Sequence, residues 1–430
     1  MFRSTLHTST SFISLSAYSM RAATAATMSL NFLSGVLDPR VTFTRSSTAT
    51  FVGSNGLIQT SAINAPRFDY NPATLAIRGF LPEEQRTNIF LQSETFDNVS
   101  WNKINSTVTA DVSVSPTGAS TADALVENTT SGSHGIQQFM LYNTSTSYTL
   151  SCYVKAGTRS WVRVSFPNAA FTGSPGSFYN LSGAGALGVA TGSPTARSIT
   201  AVGNGWYRIT LTATSTATAG GNTIILAATA DNNSFYAGVT SAEALYFWGA
   251  QLEAGAFVTS YIPTVLSTVT RSPDIATMTG TNFSSWYNSS EGTFVAKYGA
   301  SPNLFATYLA ASNGVVAQNS VHFDNDSGGT MRSVYYSGSV AQAILSLGSY
   351  GTAGTINTVA SAYAVDNFGA SRNGGTPVTD TSGSVPASVT QLNIGADPSG
   401  VAANVTNTHI VSITYYNKRL PNSQLQALSL

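Results

Sequence analysis

Charged side chains are so scarce in this chain that their scarcity limits what it can fold into. Only 9% of the residues are Asp, Glu, Lys or Arg, in equal numbers of 19 acidic and 19 basic residues. Soluble globular proteins carry about 25% charged residues. Apolar residues nevertheless make up 42% of the chain, whereas disordered chains combine few apolar residues with high net charge. The surface of the folded chain must therefore be covered largely by Ser, Thr, Asn and Gly.

Such a composition favours strands and turns over helices. The 37 glycines and 15 prolines interrupt regular structure, and the long charged side chains that favour helices are rare. Apolar runs such as residues 224–228 fall far short of the ~20 residues that a membrane-spanning helix needs. Zero net charge argues against a nucleic-acid-binding protein, which usually carries a basic surface. We therefore predict an all-β protein with no membrane span and no nucleic-acid partner.

Turn signals and strand patterns divide the chain into four segments, which are 1–27, 28–95, 96–265 and 266–430. Residues 1–27 are rich in Ser, Thr and Ala and contain no acid. We interpret them as an extension upstream of Met28, as an arm that orders on a partner, or as a weak signal peptide.

Residues 28–95 are rich in turns and are interpreted as an attachment or connector region. Alternation predicts short strands at residues 41–45 and 49–52, and Asn55-Gly56 predicts a type I′ turn. A charged run unusual for this chain, residues 83–86, is interpreted as an ion-paired anchor between segments and not as an active site.

Residues 96–265 contain short strand patterns separated by Gly, Ser and Thr, which indicate a β-sandwich or jelly roll. The predicted strands are 148–155, 161–166, 207–214, 223–230 and 244–252. No helical pattern lies between them, which excludes a βαβ architecture. Residues 266–430 repeat this style, with predicted strands at 292–298, 331–336, 356–365, 391–394 and 409–416. A short helix begins at Asn422 or Ser423 and carries Leu425 and Leu428.

Candidate catalytic groups do not converge anywhere in the sequence, so we predict no catalytic residues. No acid lies between Glu127 and Asp231, whereas glycoside hydrolysis generally uses two carboxylates. The glycines of residues 183–188 match G-x-G-x-x-G, but no helix pattern follows them, so they indicate a glycine-rich turn. Cys152 is the sole cysteine, which excludes an intrachain disulfide, and alternation predicts that it is buried.

No cofactor is expected, but a calcium site is one alternative. Asp324 and Asp326 lie at the first and third positions of a calcium-loop pattern with Gly329 at the sixth. The twelfth position is Tyr335 and not the required Glu, which excludes an EF-hand. The pair is therefore either a looser calcium site or part of an Asx-rich hairpin turn.

Three strands of the middle segment each place an aromatic residue and a cation on one face. The pairs are Tyr153 with Lys155, Trp161 with Arg163, and Trp206 with Arg208. If the strands share one sheet, these residues form a solvent-facing ridge in a stretch free of carboxylates. Aromatic faces stack on sugars and cations bind acidic substituents, but Trp and Arg are also typical of protein interfaces. We predict that the six residues bind either a glycan or a protein surface.

Several short sequence motifs resemble those of tailed-bacteriophage head-fibre, head-spike and tail-fibre proteins. Those of the first segment are residues 30–35, 43–50, 55–58, 66–70, 78–79 and 83–88. Residues 205–209, 248–253 and 260–264 resemble the carbohydrate-binding-module-like jelly rolls of such proteins. Residues 291–296, 392–396 and 409–421 resemble a laminin-G-like or concanavalin A-like lectin domain, a family that often holds calcium through acidic loop residues.

The resemblance implies a non-enzymatic structural protein on the surface of a phage particle. An N-terminal attachment region would be followed by a jelly roll over 96–265 and a concanavalin A-like sandwich over 266–430. The implied partners are capsid or tail proteins, host-surface polysaccharide and further copies of the chain, a homotrimer among the options. The alternatives are a glycan depolymerase and a purely structural capsid cement protein.

Overall fold

The computed structural model describes residues 25–399 and 404–430 of the chain. Antiparallel strands dominate the described residues, and the two α-helices there are short. None of these helices is long and apolar enough to cross a membrane. The extension predicted over residues 1–27 lies outside the described residues, apart from its last three. The all-β prediction is confirmed.

The first segment forms short strands because prolines such as Pro66 and Pro72 lack the amide donor that a sheet interior requires. Its strands are β1 (Met28–Asn31), β2 (Thr42–Thr44), β3 (Ala49–Val52), β4 (Ile58–Ser61), β5 (Phe68–Tyr70), β6 (Ile77–Phe80) and β7 (Arg86–Asn88). A 3₁₀ helix, Phe32–Ser34, follows β1. The predicted strands at 41–45 and 49–52 correspond to β2 and β3.

The turn between β3 and β4 differs from the predicted type I′. Gly56 has a φ of 76°, but Asn55 does not share the positive φ that type I′ requires at both central positions. The Gly56 amide donates to the Gly53 carbonyl at 2.9 Å, and the Gly53 amide donates to the Leu57 carbonyl at 2.8 Å. The hairpin loop is therefore longer than two residues, and only Gly56 takes the left-handed conformation.

The middle segment is a two-sheet sandwich of antiparallel strands. Its strands are β8 (Asn102–Ile104), β9 (Ser106–Val114), β10 (Ser120–Glu127), β11 (Ser131–Gly132), β12 (His134–Tyr142), β13 (Ser147–Ala156), β14 (Trp161–Ser165), β15 (Gly176–Asn180), β16 (Ala186–Thr191), β17 (Ala196–Gly203), β18 (Trp206–Thr214), β19 (Ala219–Ala228), β20 (Tyr236–Ala237) and β21 (Glu243–Ala254). The glycine-rich turn predicted at residues 183–188 is confirmed for its first half, which leads into β16, whereas residues 186–188 already belong to that strand.

Two six-stranded sheets enclose the core of this middle sandwich. Sheet I has the order β17-β18-β13-β21-β10-β9, and sheet II has the order β16-β15-β14-β19-β12-β8. Alternate residues of β13 and β14, such as Val154 and Val164, point into the core between them. Cys152 lies in the same core with no exposed surface, as predicted, and burial raises the pKa of its thiol to about 12.

The third segment contributes further strands and two short helices. They are β22 (Val269–Arg271), β23 (Ile275–Thr279), α1 (Thr281–Ser284), β24 (Glu291–Gly299), β25 (Ala306–Ser312), β26 (Ser320–Asn325), β27 (Thr330–Ser337), β28 (Val340–Ser349), β29 (Ile356–Ala364), β30 (Phe368–Arg372), β31 (Val378–Asp380), β32 (Gln391–Ile394), β33 (Ile410–Tyr416) and α2 (Asn422–Leu428). The C-terminal helix carries the buried Leu425, as predicted.

The first and third segments build one sandwich together, which we call the terminal sandwich. Sheet III has the order β31-β30-β29-β24-β33-β6-β5, with β1 also paired to β33, and sheet IV has the order β2-β23-β32-β25-β26-β27-β28. One core between these sheets includes Phe80 of the first segment and Phe294 and Tyr415 of the third. This differs from the linear order expected of an attachment region followed by two sandwiches. Sequence alternation cannot show that short strands pair with partners so distant in the chain.

The middle sandwich is inserted between β7 and β22, which pair with each other. A buried ionic cluster beside this pair confirms the anchor predicted at residues 83–86. Arg67 donates to Glu83 at 2.6 Å and also pairs with Asp274. Arg45 pairs with Asp274 at 2.9 Å, and Arg271 pairs with Glu83 at 2.9 Å. The cluster therefore ties three parts of the chain together where the two sandwiches meet.

This cluster predicts that the protein loses stability in acid. Burial by itself raises the pKa of Glu83, but Arg271, Arg67 and Ser260 outweigh burial and hold it well below the ordinary 4.5. A carboxylate with a depressed folded-state pKa stabilises the fold above its unfolded pKa and loses that contribution as the pH falls. We expect the melting temperature to fall progressively below about pH 5. Calorimetry from pH 7 to pH 3 should show a shallower decline for Glu83→Gln, and equal slopes would contradict the assignment.

Candidate functional site

Four of the six predicted ridge residues lie on β13 and β18, which are neighbours in sheet I. These are Tyr153, Lys155, Trp206 and Arg208. The predicted alternation is correct, because Cys152 and Tyr207 point to the opposite side and pack in the sandwich core. The expectation of a solvent-facing surface is wrong, however, since Tyr153 is 5% exposed and Trp206 is 1% exposed.

The outer face of sheet I is covered by other parts of the chain. Tyr153 packs with Tyr261, which follows β21, at a ring-centroid distance of 6.3 Å. Ile58 of the first segment packs against the same apolar cluster. The Trp206 indole N–H donates to the Val114 carbonyl at 2.9 Å. These aromatic rings therefore serve intramolecular packing and are not open to stack on a sugar.

The two cations of sheet I also have partners. The Arg208 guanidinium lies 5.3 Å from the Tyr153 ring centroid and donates to the Thr259 carbonyl at 2.8 Å. The Lys155 ammonium lies 5.8 Å from the Tyr246 ring centroid. Arg208 also lines a cavity of about 300 Å³ between the two sandwiches. Tyr153 and Arg208 therefore lie at the junction between the sandwiches, whereas Lys155 contacts Tyr246 of its own sheet.

Trp161 and Arg163 lie on β14 in sheet II, so the six residues do not form one ridge. Strand β14 pairs with β15 and β19, and alternate residues Val162 and Val164 fill the core. Trp161 and Arg163 therefore point away from the core on the outer face of sheet II, where both are half-buried. Of the six predicted residues, these two keep the aromatic-plus-cation arrangement on an open face.

Apolar neighbours surround Arg163 on this face. Phe178 of β15 and Leu226 of β19 lie directly across from it in the neighbouring strands. The guanidinium carbon lies 5.8 Å from the Phe178 ring centroid. Phe178 is 2% exposed and Leu226 is 3% exposed although both point outward. We call Trp161, Arg163, Phe178 and Leu226 the sheet II patch.

The charge of Arg163 is not balanced within the described part of the chain. None of the six strands of sheet II contains Asp or Glu. Arg163 makes no ion pair or side-chain hydrogen bond with a described residue, and its guanidinium lies over the Phe178 ring. Burial lowers the pKa of its guanidinium, but an arginine remains protonated at neutral pH. The sheet II patch thus offers a half-buried cation with free donors next to an indole ring.

A glycine makes room for the Trp161 ring. A Cβ atom at position 188 would lie 2.7 Å from Trp161 Cζ3 and 2.4 Å from the Asp231 carboxylate. That carboxylate accepts a hydrogen bond from the Val189 amide at 2.7 Å. Sequence reasoning missed Phe178, Leu226 and this use of Gly188, since only cross-strand register reveals them. Gly188, the last glycine of the G-x-G-x-x-G match, is the one sequence feature that indicates a close approach of the chain to Trp161.

The two residues considered for calcium have protein partners. Asp324 accepts two hydrogen bonds from Arg332, at 3.0 and 2.6 Å. Asp326 accepts from the amides of Gly328 and Thr330, both at 2.9 Å, inside the β26–β27 hairpin. Among the residues that the structure describes, no three or more His, Cys, Asp or Glu side chains are grouped to hold a metal. The arrangement is that of the Asx-rich hairpin turn.

Comparison with known proteins gives limited similarity. No protein-family model and no curated protein sequence matches the chain. The NanB sialidase of Streptococcus pneumoniae shares 14% identity over 36% of this chain, with a TM-score of 0.32, and the match covers 26% of its own chain. The Ruminococcus gnavus IT-sialidase CBM40 bound to α2,3-sialyllactose shares 17% identity, a TM-score of 0.30 and coverage of 34% and 86%. Trypanosoma rangeli sialidase shares 17% identity, a TM-score of 0.28 and coverage of 36% and 25%. This chain thus spans about a quarter of either full sialidase, and these similarities assign it no function.

Proposed function

We propose that the protein is a non-enzymatic surface component of a tailed-phage particle that contacts host glycan through the sheet II patch. The observation that carries the glycan contact is the unpaired, half-buried Arg163 beside Trp161 in a sheet without acidic residues. The phage assignment, the position on the virion surface and the capsid or tail partners rest on the sequence motifs named above. A homo-oligomer, with a trimer among the options, rests on the same resemblance.

The chemistry of the patch favours a saccharide that carries a carboxylate. A guanidinium presents a planar set of donors that matches the two oxygens of a carboxylate. An indole ring offers an apolar face to the C–H surface of a pyranose. The strands of sheet II contain no Asp or Glu, and the Asp231 carboxylate beside Trp161 already accepts a hydrogen bond from the Val189 amide, so little repulsion toward an anionic ligand is expected.

Arg163→Gln is expected to weaken binding of sialyllactose by about tenfold to a hundredfold, the equivalent of one charged hydrogen-bonding contact. The substitution removes the charge without leaving a protein partner unpaired, because Arg163 has no ionic partner among the described residues. Isothermal titration with sialyllactose, and with lactose as the neutral ligand, measures the effect. Trp161→Ala should weaken binding of both ligands.

Phe305→Ala is the matched control, because Phe305 is an exposed aromatic residue of the terminal sandwich, outside the sheet II patch. It should leave sialyllactose binding unchanged. Equal binding of sialyllactose by the wild type and Arg163→Gln, with both proteins folded, would rule out the patch as the carboxylate site.

Two alternatives make different predictions. A depolymerase would release new reducing ends from host polysaccharide, and substitution of one carboxylate pair would abolish that release. A pure cement protein would bind no glycan, and imaging of the particle would place the sheet II patch in a contact with another subunit. Electron microscopy of the particle would also place the chain on the head or the tail.

A further inference from the structure

Two cavities share Arg78 and His409 in their linings, one where the sandwiches meet and one beside it on the terminal sandwich. The first, of about 300 Å³, is walled by Tyr153 and Arg208 of sheet I and by residues of the first segment. The second, of about 630 Å³, lies on the terminal sandwich and is lined by Lys297 of β24. We call the two together the junction groove.

Cations outnumber acids along the junction groove. Arg208 lines the first cavity, Lys297 lines the second, and Arg78 stands between them. Lys297 is exposed and forms no ion pair with a described residue, and the Arg78 side chain is 40% exposed. Lys297 and Arg78 of the terminal sandwich therefore present positive charge to solvent, and the half-buried Arg208 of the middle sandwich adds to it at the groove wall.

Among the described residues, Asp69 is the one carboxylate that lines the junction groove, and it already has partners. It accepts a hydrogen bond from the Val52 amide at 2.7 Å and lies 2.9 Å from His409 Nε2. Arg78 approaches the same carboxylate at only 3.8 Å, which is longer than a hydrogen bond. The Arg78 donors therefore remain available to a ligand.

The remaining lining combines hydroxyl groups with apolar patches. The first cavity is lined by Ser198, Thr200 and Thr210, and the hydroxyls of Ser198 and Thr210 share a hydrogen bond of 2.6 Å. The second contains the apolar side chains of Ile356 and Val411. Hydroxyls, apolar patches and well-separated cations match a chain of sugars that carries carboxylates. A nucleic acid would instead call for a densely basic surface, which a chain of zero net charge lacks.

We propose that the junction groove binds a linear, carboxylated saccharide, with its carboxylates on Arg208, Arg78 and Lys297. This site is separate from the sheet II patch, because it involves the opposite sheet of the middle sandwich. The patch would contact a single acidic sugar, whereas the groove would hold several consecutive units.

The test uses the full chain, tetragalacturonic acid as the anionic probe and maltotetraose as its neutral counterpart, in titration calorimetry at low salt. The wild type should bind the first and not the second. Lys297→Gln and Arg78→Gln should each weaken tetragalacturonic acid binding by about tenfold. Lys418→Gln is the control, since Lys418 is an exposed lysine of the same sandwich that lies outside the groove, and it should bind like the wild type.

Four results would overturn the proposal. They are no binding of tetragalacturonic acid by the wild type, equal binding of maltotetraose, unchanged affinity in both groove variants, or stronger binding of a single-stranded oligonucleotide. Lys297→Gln is expected to fold like the wild type, because the Lys297 side chain is exposed and no described carboxylate loses a partner. Sialyllactose binding by the same variant reports on the sheet II patch separately, so the two proposals can fail independently.

Discussion

Asp274→Ala is expected to lower the free energy of unfolding by about 3–5 kcal/mol, the usual cost of removing one partner from a buried ion pair. The Asp274 carboxylate pairs with both Arg45 and Arg67, and all three side chains are completely buried. It also accepts a hydrogen bond from the Glu83 amide at 2.9 Å. Its removal leaves the buried Arg45 without an ionic partner among the described residues and leaves Arg67 with only Glu83, which Arg271 shares. Urea denaturation followed by tryptophan fluorescence measures the change.

Asp38→Ala is the matched control, because Asp38 pairs with Arg40 at a partly exposed site. Water solvates both of these groups once the pair is broken, so a loss below about 1 kcal/mol is expected. If the two variants lost the same stability, the buried cluster would not hold the sandwiches together in the way described here.

Gly79→Ala is expected to cost about 3 kcal/mol, the sum of a backbone clash and an unfavourable dihedral angle. Gly79 lies in β6 with a φ of 121°. A Cβ atom there would lie 2.3 Å from the carbonyl oxygen of Ile410, at the start of β33. Because that oxygen belongs to a backbone inside sheet III, it cannot rotate away. Thermal unfolding by calorimetry would register the loss.

Gly280→Ala separates the two contributions. Gly280 also has a positive φ, of 57°, but no atom lies within 4 Å of the position that a Cβ would take. Gly280 combines its positive φ with a ψ of −138°, which residues other than glycine avoid, so only a conformational cost of about 1–3 kcal/mol is expected there. A cost at Gly79 no larger than that at Gly280 would show that β6 can shift away from β33.

Local patterns in the sequence predict most of the architecture. Alternation along the chain predicts strands such as 391–394 with their correct bounds, and it assigns Cys152 to the core face. The scarcity of charge makes the run at residues 83–86 stand out, and Glu83 does occupy the buried cluster. Such features depend on residues close together in the chain, where periodicity and turn chemistry decide the structure.

Two features could not be predicted in the same way. They are the sheet that each strand joins and the chain segments that pack over the outer face of a sheet. Alternation correctly pairs Trp206 with Arg208 on one face, but it cannot show that Tyr261 packs over that face from elsewhere in the chain. It also cannot show that β14 joins sheet II while β13 joins sheet I. For this reason the two tryptophans differ in exposure although their sequence patterns are the same. Trp161 is half-buried on the outer face of sheet II, and Trp206 is fully buried under other parts of the chain.

The sequence motifs of the first segment that resemble phage proteins supply residues of the junction between the sandwiches. Arg67 and Glu83 belong to the buried ionic cluster. Asp69 anchors the Val52 amide, and Gly79 permits the close approach of β6 to β33. The attachment role inferred for this segment remains a prediction, whereas its contribution to sheets III and IV is a structural fact.

The pairing of β1 with β33 also determines the order in which the chain can fold during synthesis. The Thr27 amide donates to the Tyr415 carbonyl, across a separation of 388 residues. The middle sandwich has all its strands between Asn102 and Ala254, so it can form while the ribosome is still translating the rest. Strand β1 stays unpaired until its partner β33 has been synthesised. Such unpaired strand edges slow folding and favour mispairing. A prematurely terminated product would therefore carry a folded middle sandwich beside unpaired N-terminal strands.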